Sequence, residues 1–343
     1  MSIKTIWVLL KETFTEWNND KASRLAAALA YYTIFSLAPL LIIAIAIAGA
    51  VFGEEAARGE IVEQIQGLVG KEGAQFIQVA IENASKPNQG TIASIISVVV
   101  LLFGASGLFA QLQDALNTIW EVQPKPGRGL VGILRDRFLS FLMVLGVGFL
   151  LIVSLLLSAA LTGFVNYFAN LLPGIGFLLQ FANFIISFAI TTVLFGLIYK
   201  VLPDVEITWS DVWIGATITS LLFAFGRFLL GMYLSSSSFG STYGAAGSVI
   251  ILLAWVYYAA QILFFGAEFT QVYARKYGSR IVPAKNAVPI TAQTRAEQGM
   301  NNSDEQRQTK EPKKRSSSFF GRIFHSTQPK RSKRPRRNNR RNQ

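Results

Sequence analysis

Long uncharged runs alternate with short polar connections over the first 280 residues. Six runs are long enough to cross a bilayer at ~1.5 Å per helical residue. They cover approximately 29–52, 92–112, 138–162, 181–200, 212–234 and 248–268. The third is the plainest, without charge from Phe138 to Phe164. The last lies in YGAAGSVIILLAWVYYAAQILFFGAEFTQVYAR (Tyr243 to Arg275) and has no charge from Ser248 to Ala267. Gly247, Ala254, Gln261, Glu268 and Arg275 are spaced by seven, so they drift only ~20° per step and share one small, polar face. Such a face turns to protein or a water-filled cavity, and the apolar remainder to lipid. The pattern predicts an all-α polytopic membrane protein, a bundle of six transmembrane helices. Small residues near Ala46 to Ala50 imitate a cleavage site, but the first run is too long for a signal peptide and is expected to stay as a helix.

Two flanking segments are amphipathic. Ile3, Ile6, Trp7, Leu10, Phe14 and Trp17 recur at helical spacing opposite Lys4, Lys11, Glu12 and Glu16, which predicts an N-terminal interfacial helix. Between the first two runs, Ile61, Ile65, Leu68 and Val69, then Phe76, Val79 and Ala80, predict a small outer-side helical hairpin broken near Gly70 to Gly73.

Lys/Arg placement sets the expected direction. Residues 1–28 and loop 113–137 carry four each, and loops 163–180 and 235–247 carry none. Loop 53–91 has three, with six Glu that count for little in this rule. Both termini are expected in the cytoplasm, with six spans between them.

The chain is 51% hydrophobic and 15% charged, well below the roughly 25% of a soluble domain. It has no cysteine, which removes disulfides, thiolate nucleophiles and cysteine zinc sites. Its one histidine, His325, lies in a polar tail, so imidazole metal chemistry has almost no ligands, and no cofactor is expected. Residues 275–343 carry net +15 while residues 1–274 carry −3. The expected division is a membrane domain over 1–282 and a disordered basic cytoplasmic tail over 283–343. Lys330, Arg331, Lys333, Arg334, Arg336, Arg337, Arg340 and Arg341 would hold that tail near anionic lipid, at about 1 kcal/mol per basic residue close to the surface. A nucleic-acid partner is disfavoured, since a tethered tail meets membrane first and no folded nucleic-acid motif accompanies it.

Few residues carry candidate chemistry. Arg227 is the only basic residue well inside a run, ~21 Å along its helix from Trp213. With Ala216, Ser220, Ala224 and Gly231 it shares a small-residue face. It is read either as a guanidinium in an outward cavity holding phosphate or carboxylate, or as a side chain snorkelling to headgroups. Glu268 is a candidate proton- or cation-coupling carboxylate, or a structural cap at the end of its span. It is not expected to pair with Arg227, near the opposite surface. Gln261 calls for an interhelical hydrogen bond. Pro39 removes a backbone bond and predicts a kink, which Ser36 could help to satisfy. Gln111, Gln113, Asp114 and Asn117 form a polar helix end. The glycines Gly240, Gly244 and Gly247 suit a loop and lack the lysine of a phosphate loop.

Four segments carry a family resemblance: RLAAALAYYTIFSLAPLL (24–41), LQDALNTIWEVQP (112–124), LPDVEITWSDVWIGA (202–216) and YGAAGSVIILLAWVYYAAQILFFGAEFTQVYA (243–274). In this order and spacing the chain resembles the YihY/BrkB family of bacterial inner-membrane proteins over roughly residues 1–280, without the tail. The resemblance implies a six-helix membrane protein with no settled activity. Some members were once labelled ribonuclease BN, a label these residues do not support. The reading is a transporter or flippase-like protein for an amphipathic anion or lipid, using Arg227, Gln261, Glu268, Ser36 and Pro39. The alternatives are a membrane scaffold or assembly factor and, last, a membrane-embedded enzyme.

Overall fold

The computed structural model describes residues 3–84, 107–126, 175–236, 245–279 and 281–300, with single positions at 104, 142, 146, 149, 150 and 153. Helix α1 spans Ile3–Asn19, α2 Ala22–Phe52 and α3 Glu54–Ala84. Residues 107–119 form α4, which leads into strand β1, Val122–Pro124. Then come α5 (Ile175–Val201), β2 (Val205–Glu206), α6 (Trp209–Ser236), α7 (Ala245–Tyr277), β3 (Val282–Pro283), β4 (Ala287–Pro289) and α8 (Ala292–Glu297).

Among the described residues four helical stretches are long and apolar enough to cross a membrane: Ala22–Ala50, Phe184–Val201, Trp209–Leu230 and Gly247–Tyr277. They match the first, fourth, fifth and sixth expected spans. The span at 138–162 and most of that at 92–112 lie outside the described residues, as do residues 301–343 with the basic tail. An all-α membrane protein is therefore what the sequence builds. Its helices run past the apolar runs because helix formation needs only a continuous backbone ladder, and polar residues at either end extend it.

Three expectations change. The hairpin expected to break near Gly70 to Gly73 is one unbroken helix, α3, of 31 residues. A mid-helix glycine costs about 1 kcal/mol relative to alanine. Packing outweighs that cost, since Ile61, Ile77 and Ile81 of α3 are buried with Leu41, Ala44 and Ile45 of α2 and Leu252 of α7. Helix α7 does not end at Glu268 but runs on to Tyr277, so Glu268 is no cap. The division at residue 283 falls inside paired strands. Val205 and Glu206 pair with Pro283 and Val282, and Val122, Gln123 and Pro124 pair with Pro289, Val288 and Ala287. Residues 283–300 belong to the same compact unit as the helices.

The core is centred where α2, α4, α5, α6 and α7 meet. Ala22, Ala26, Leu116, Ile119, Trp120, Tyr199, Val212, Ala216, Phe264 and Ala267 are all but excluded from solvent there. Small residues let α6 and α7 approach closely. The segments GATIT (215–219) and GAEFT (266–270) cross in opposite directions. Thr219 donates to the carbonyl of Gly215 at 2.8 Å and Thr270 to that of Gly266 at 2.7 Å. Each threonine also fills the space over the other helix's glycine: a Cβ on Gly215 would lie 1.7 Å from Thr270 Oγ1, and one on Gly266 1.9 Å from Thr219 Oγ1. Tyr199 of α5 closes the crossing, donating to the Leu263 carbonyl at 2.7 Å with Thr219 Oγ1 3.0 Å away.

Helix α1 is amphipathic but divides its polar residues unexpectedly. Leu9 packs with Phe269 and Val272 of α7, and Glu12 and Glu16 face that helix rather than water. Ile6, Trp7 and Phe14 stay exposed beside Lys4 and Lys11, the residue mix of a helix lying in a membrane interface.

Candidate functional site

The connections between helices gather at one end of the bundle. Asn117 and Asp204 bond reciprocally: Asn117 Nδ2 donates to the Asp204 carboxylate at 3.1 Å, and the Asp204 N–H donates to Asn117 Oδ1 at 2.7 Å. Asn286 donates to the other Asp204 oxygen at 2.9 Å. The polar residue Asn117 thus ties α4 to the loop before α6 and to the β3–β4 turn, a more specific role than helix-end anchoring. At the start of α6, Asp211 accepts from Thr208 at 2.9 Å and from the Ser279 N–H and hydroxyl at 2.9 and 2.8 Å.

Two tight turns place carboxylates at this end. Lys21 and Glu121 have φ of 56° and 57°, the left-handed region that costs an L-residue roughly 1–2 kcal/mol. The first turn separates α1 from α2 and buries Asp20; the second ends α4 at Glu121. Both carboxylates face Arg295 of α8, itself only 4% exposed. Arg295 bonds Asp20 directly, and its Nη1 is 3.9 Å from Glu121. Burial pushes the Asp20 carboxyl up, to about 7, against the pull of Arg295. On the α1 side, Arg275 of α7 bonds Glu12 at 2.8 Å and Glu16 at 3.4 Å, and Lys276 bonds Glu12. Burial opposes ionisation of Glu12, but Lys276 and Arg275 outweigh it and hold its carboxyl below the ordinary value.

Glu268 lies within this charged shell. It is fully buried, and neither carboxylate oxygen has a hydrogen-bond partner. The charged groups whose fields reach it are Asp20, Glu16, Glu121 and Arg295. Gln271, three residues on and 4% exposed, has an unpartnered Oε1, as has Thr13 of α1 at Oγ1. Among the described residues no three His, Cys, Asp or Glu side chains are grouped so as to hold a metal ion.

The remaining expected site residues are dispersed. Arg227 is exposed on α6. Its flanking residues Phe225 and Phe228 are 62% and 63% exposed, so it occupies an outward apolar flank rather than the small-residue face that buries Ala216 and Ser220. It has no ion pair among the described residues. Gly226, beside it, lies against Tyr258 and Ile262 of α7, whereas Gly215 lies against Thr270. Arg227 and Glu268 are therefore separated along the α6–α7 pair by about 15 Å at 1.5 Å per residue. Gln261 is half-buried with an unpartnered Oε1. Ala254 is exposed, so the seven-residue line on α7 does not stay inward along its length. Ser36 is buried and Pro39 half-buried, both inside the continuous α2. They oppose glycines: a Cβ on Gly107 would lie 3.4 Å from Ser36 Oγ, and one on Gly104 3.0 Å from Pro39 Cγ. These two positions form a close helix contact. Neither Arg295 nor Asp20 carries a local sequence signal of their pairing, and the signal for the crossing beside Glu268 is a G-A-x-x-T pentapeptide present at both 215–219 and 266–270.

Residues 13–291 match the family described as Virulence factor BrkB. A UPF0761 membrane protein of Teredinibacter turnerae is 28% identical over 280 residues, covering 79% of this chain and 61% of its own. One from Alcanivorax borkumensis is 26% identical over 273 residues, covering 79% and 60%. Another, from Pseudomonas aeruginosa, is 29% identical over 259 residues, covering 72% and 58%. The chain thus spans about three-fifths of the length of these curated relatives. No solved structure matches it. With the family match running from α1 to the start of α8 and apolar helices between them, the chain belongs to the BrkB family of membrane proteins.

Proposed function

We propose that this protein moves an amphipathic anion, of the phospholipid type, across a bacterial inner membrane. Six helices span the membrane in this reading, with both termini in the cytoplasm, and the basic tail rests on anionic lipid. No enzymatic step is involved.

The observation that carries the reading is Arg227. A guanidinium within a membrane span, exposed between Phe225 and Phe228 and without a protein partner among the described residues, suits a lipid phosphate reached from the hydrocarbon side. The planar fork can hold two phosphate oxygens while the aromatic flank meets acyl chains. The Glu268 end, about 15 Å away, is a separate charged station.

The test is transbilayer movement of a fluorescent anionic phospholipid in vesicles containing the full chain. Arg227→Ala is expected to reduce movement about tenfold or more, and Arg227→Lys to retain part of it; a two-hydrogen-bond charged contact of about 1.5–3 kcal/mol sets that scale. Equal rates for wild type and Arg227→Ala, with both folded, would remove Arg227 from the path.

The scaffold reading has one specific observation in its favour, the close-packed Gly–Thr crossing of α6 and α7. A scaffold needs no flux, so the same vesicles separate the two.

A further inference from the structure

We propose that Glu268 binds an exchangeable monovalent cation, a proton or an alkali ion, at the polar end of the bundle. A carboxylate withdrawn from water costs several kcal/mol unless a donor or a counter-charge compensates it. Glu268 is withdrawn completely, and neither oxygen has a donor. The charges around it come from four neighbouring parts of the chain: Glu16 of α1, Asp20 of the α1–α2 turn, Glu121 at the end of α4 and Arg295 of α8. Arg295 is bonded to Asp20, and Arg275, two turns along α7, is bonded to Glu12 and Glu16. Among the described residues, Arg275 and Arg295 are thus each engaged by other carboxylates, and the acidic groups around Glu268 outnumber the Arg295 guanidinium.

Two further oxygens point to a ligand and not merely to an acidic neighbourhood. Gln271 Oε1, one turn along the same helix, and Thr13 Oγ1, on the helix packed against it, are buried and unpartnered. Uncharged oxygens without a partner on these two packed helices, together with one carboxylate that no donor reaches, suit a singly charged, hard cation. A divalent ion would draw on several carboxylates, and among the described residues no such group of three exists. The crossing of GATIT and GAEFT fixes the backbone around Glu268, so the site is held on rigid helices.

This inference does not rest on lipid movement. Binding is read on the resting protein, whereas the proposed function is read as flux, so either can fail alone. The full chain in nanodiscs is examined by infrared difference spectroscopy across pH and by thermal unfolding in NaCl, KCl and N-methylglucamine chloride at equal ionic strength. A bound proton gives a carboxylic-acid C=O band that vanishes as pH rises and is missing in Glu268→Gln. A bound alkali ion gives a higher unfolding midpoint in NaCl or KCl that Glu268→Gln loses. If that variant does not fold, Glu268→Asp keeps a carboxyl and is expected to shift the band or the ion response. A pH-independent carboxylate signal with equal midpoints in all three salts overturns the proposal. Responses that persist unchanged in the variants overturn it as well.

Discussion

Asp20 and Glu12 are both carboxylates beside a basic partner, yet their surroundings drive them in opposite directions. Asp20 is buried deeply enough that desolvation prevails over Arg295, and its carboxyl rises to about 7. The folded chain then holds this proton more tightly than the unfolded chain does. Its stabilising contribution is full below the ordinary carboxylate range and is lost as pH rises through about 7. Glu12 is only partly buried and has two cations, so its carboxyl is depressed. Its contribution is present above the ordinary value of 4.5 and is lost as pH falls through the depressed one. Thermal unfolding midpoints measured against pH should therefore fall between the ordinary carboxylate range and neutrality, and Asp20→Asn should flatten that slope. A slope unchanged in Asp20→Asn would assign it to another group.

The α6–α7 crossing depends on two glycines that have no conformational need to be glycine but no room for a methyl group. Gly266→Ala would place a Cβ 1.9 Å from Thr219 Oγ1 and 2.6 Å from the Tyr199 hydroxyl. Overpacking of this kind costs about 1–3 kcal/mol or more. Gly59, where nothing lies within 4 Å of a built Cβ, serves as the control: Gly59→Ala should leave detergent-solubilised unfolding nearly unchanged while Gly266→Ala lowers its midpoint. Equal midpoints would mean that the helices do not meet at this distance. The long helices were legible because an uncharged run such as Ser248 to Ala267 has few alternatives in a membrane protein. The continuity of α3 was not, since Gly70 and Gly73 argue locally for a break that burial of Ile77 and Ile81 overrides. Nor were β3 and β4 legible. Strands of two and three residues, each containing proline, have no period to read, and their partners lie in loops far away in the sequence.

The end of the bundle is assembled from distant pieces of chain, and the segment 281–300 joins them. Its strands hold the α4 and α5 connections, Arg24 donates to the Gln298 carbonyl at 2.7 Å, and Arg295 reaches Asp20 across 275 residues. No local pattern could announce that pair, because each partner alone looks like an ordinary solvated charge. A chain ending at residue 282 should unfold at a lower temperature, because it loses Arg295 and the strand pairs that β3 and β4 make with β2 and β1. One ending at residue 302 should unfold like the full chain, and comparing detergent unfolding midpoints of the two checks this. If both unfold alike, the segment is dispensable to the fold. That same end holds Glu268, and Arg227 stands apart from it on the apolar flank of α6, so the proposed anion path and the proposed cation site are physically separate. The decisive measurement is transbilayer movement of a fluorescent anionic phospholipid in vesicles with and without the wild-type chain. Faster movement with the protein, slowed by Arg227→Ala, is the expected result. Movement no faster than in protein-free vesicles, with folded protein shown to be inserted, would contradict the account.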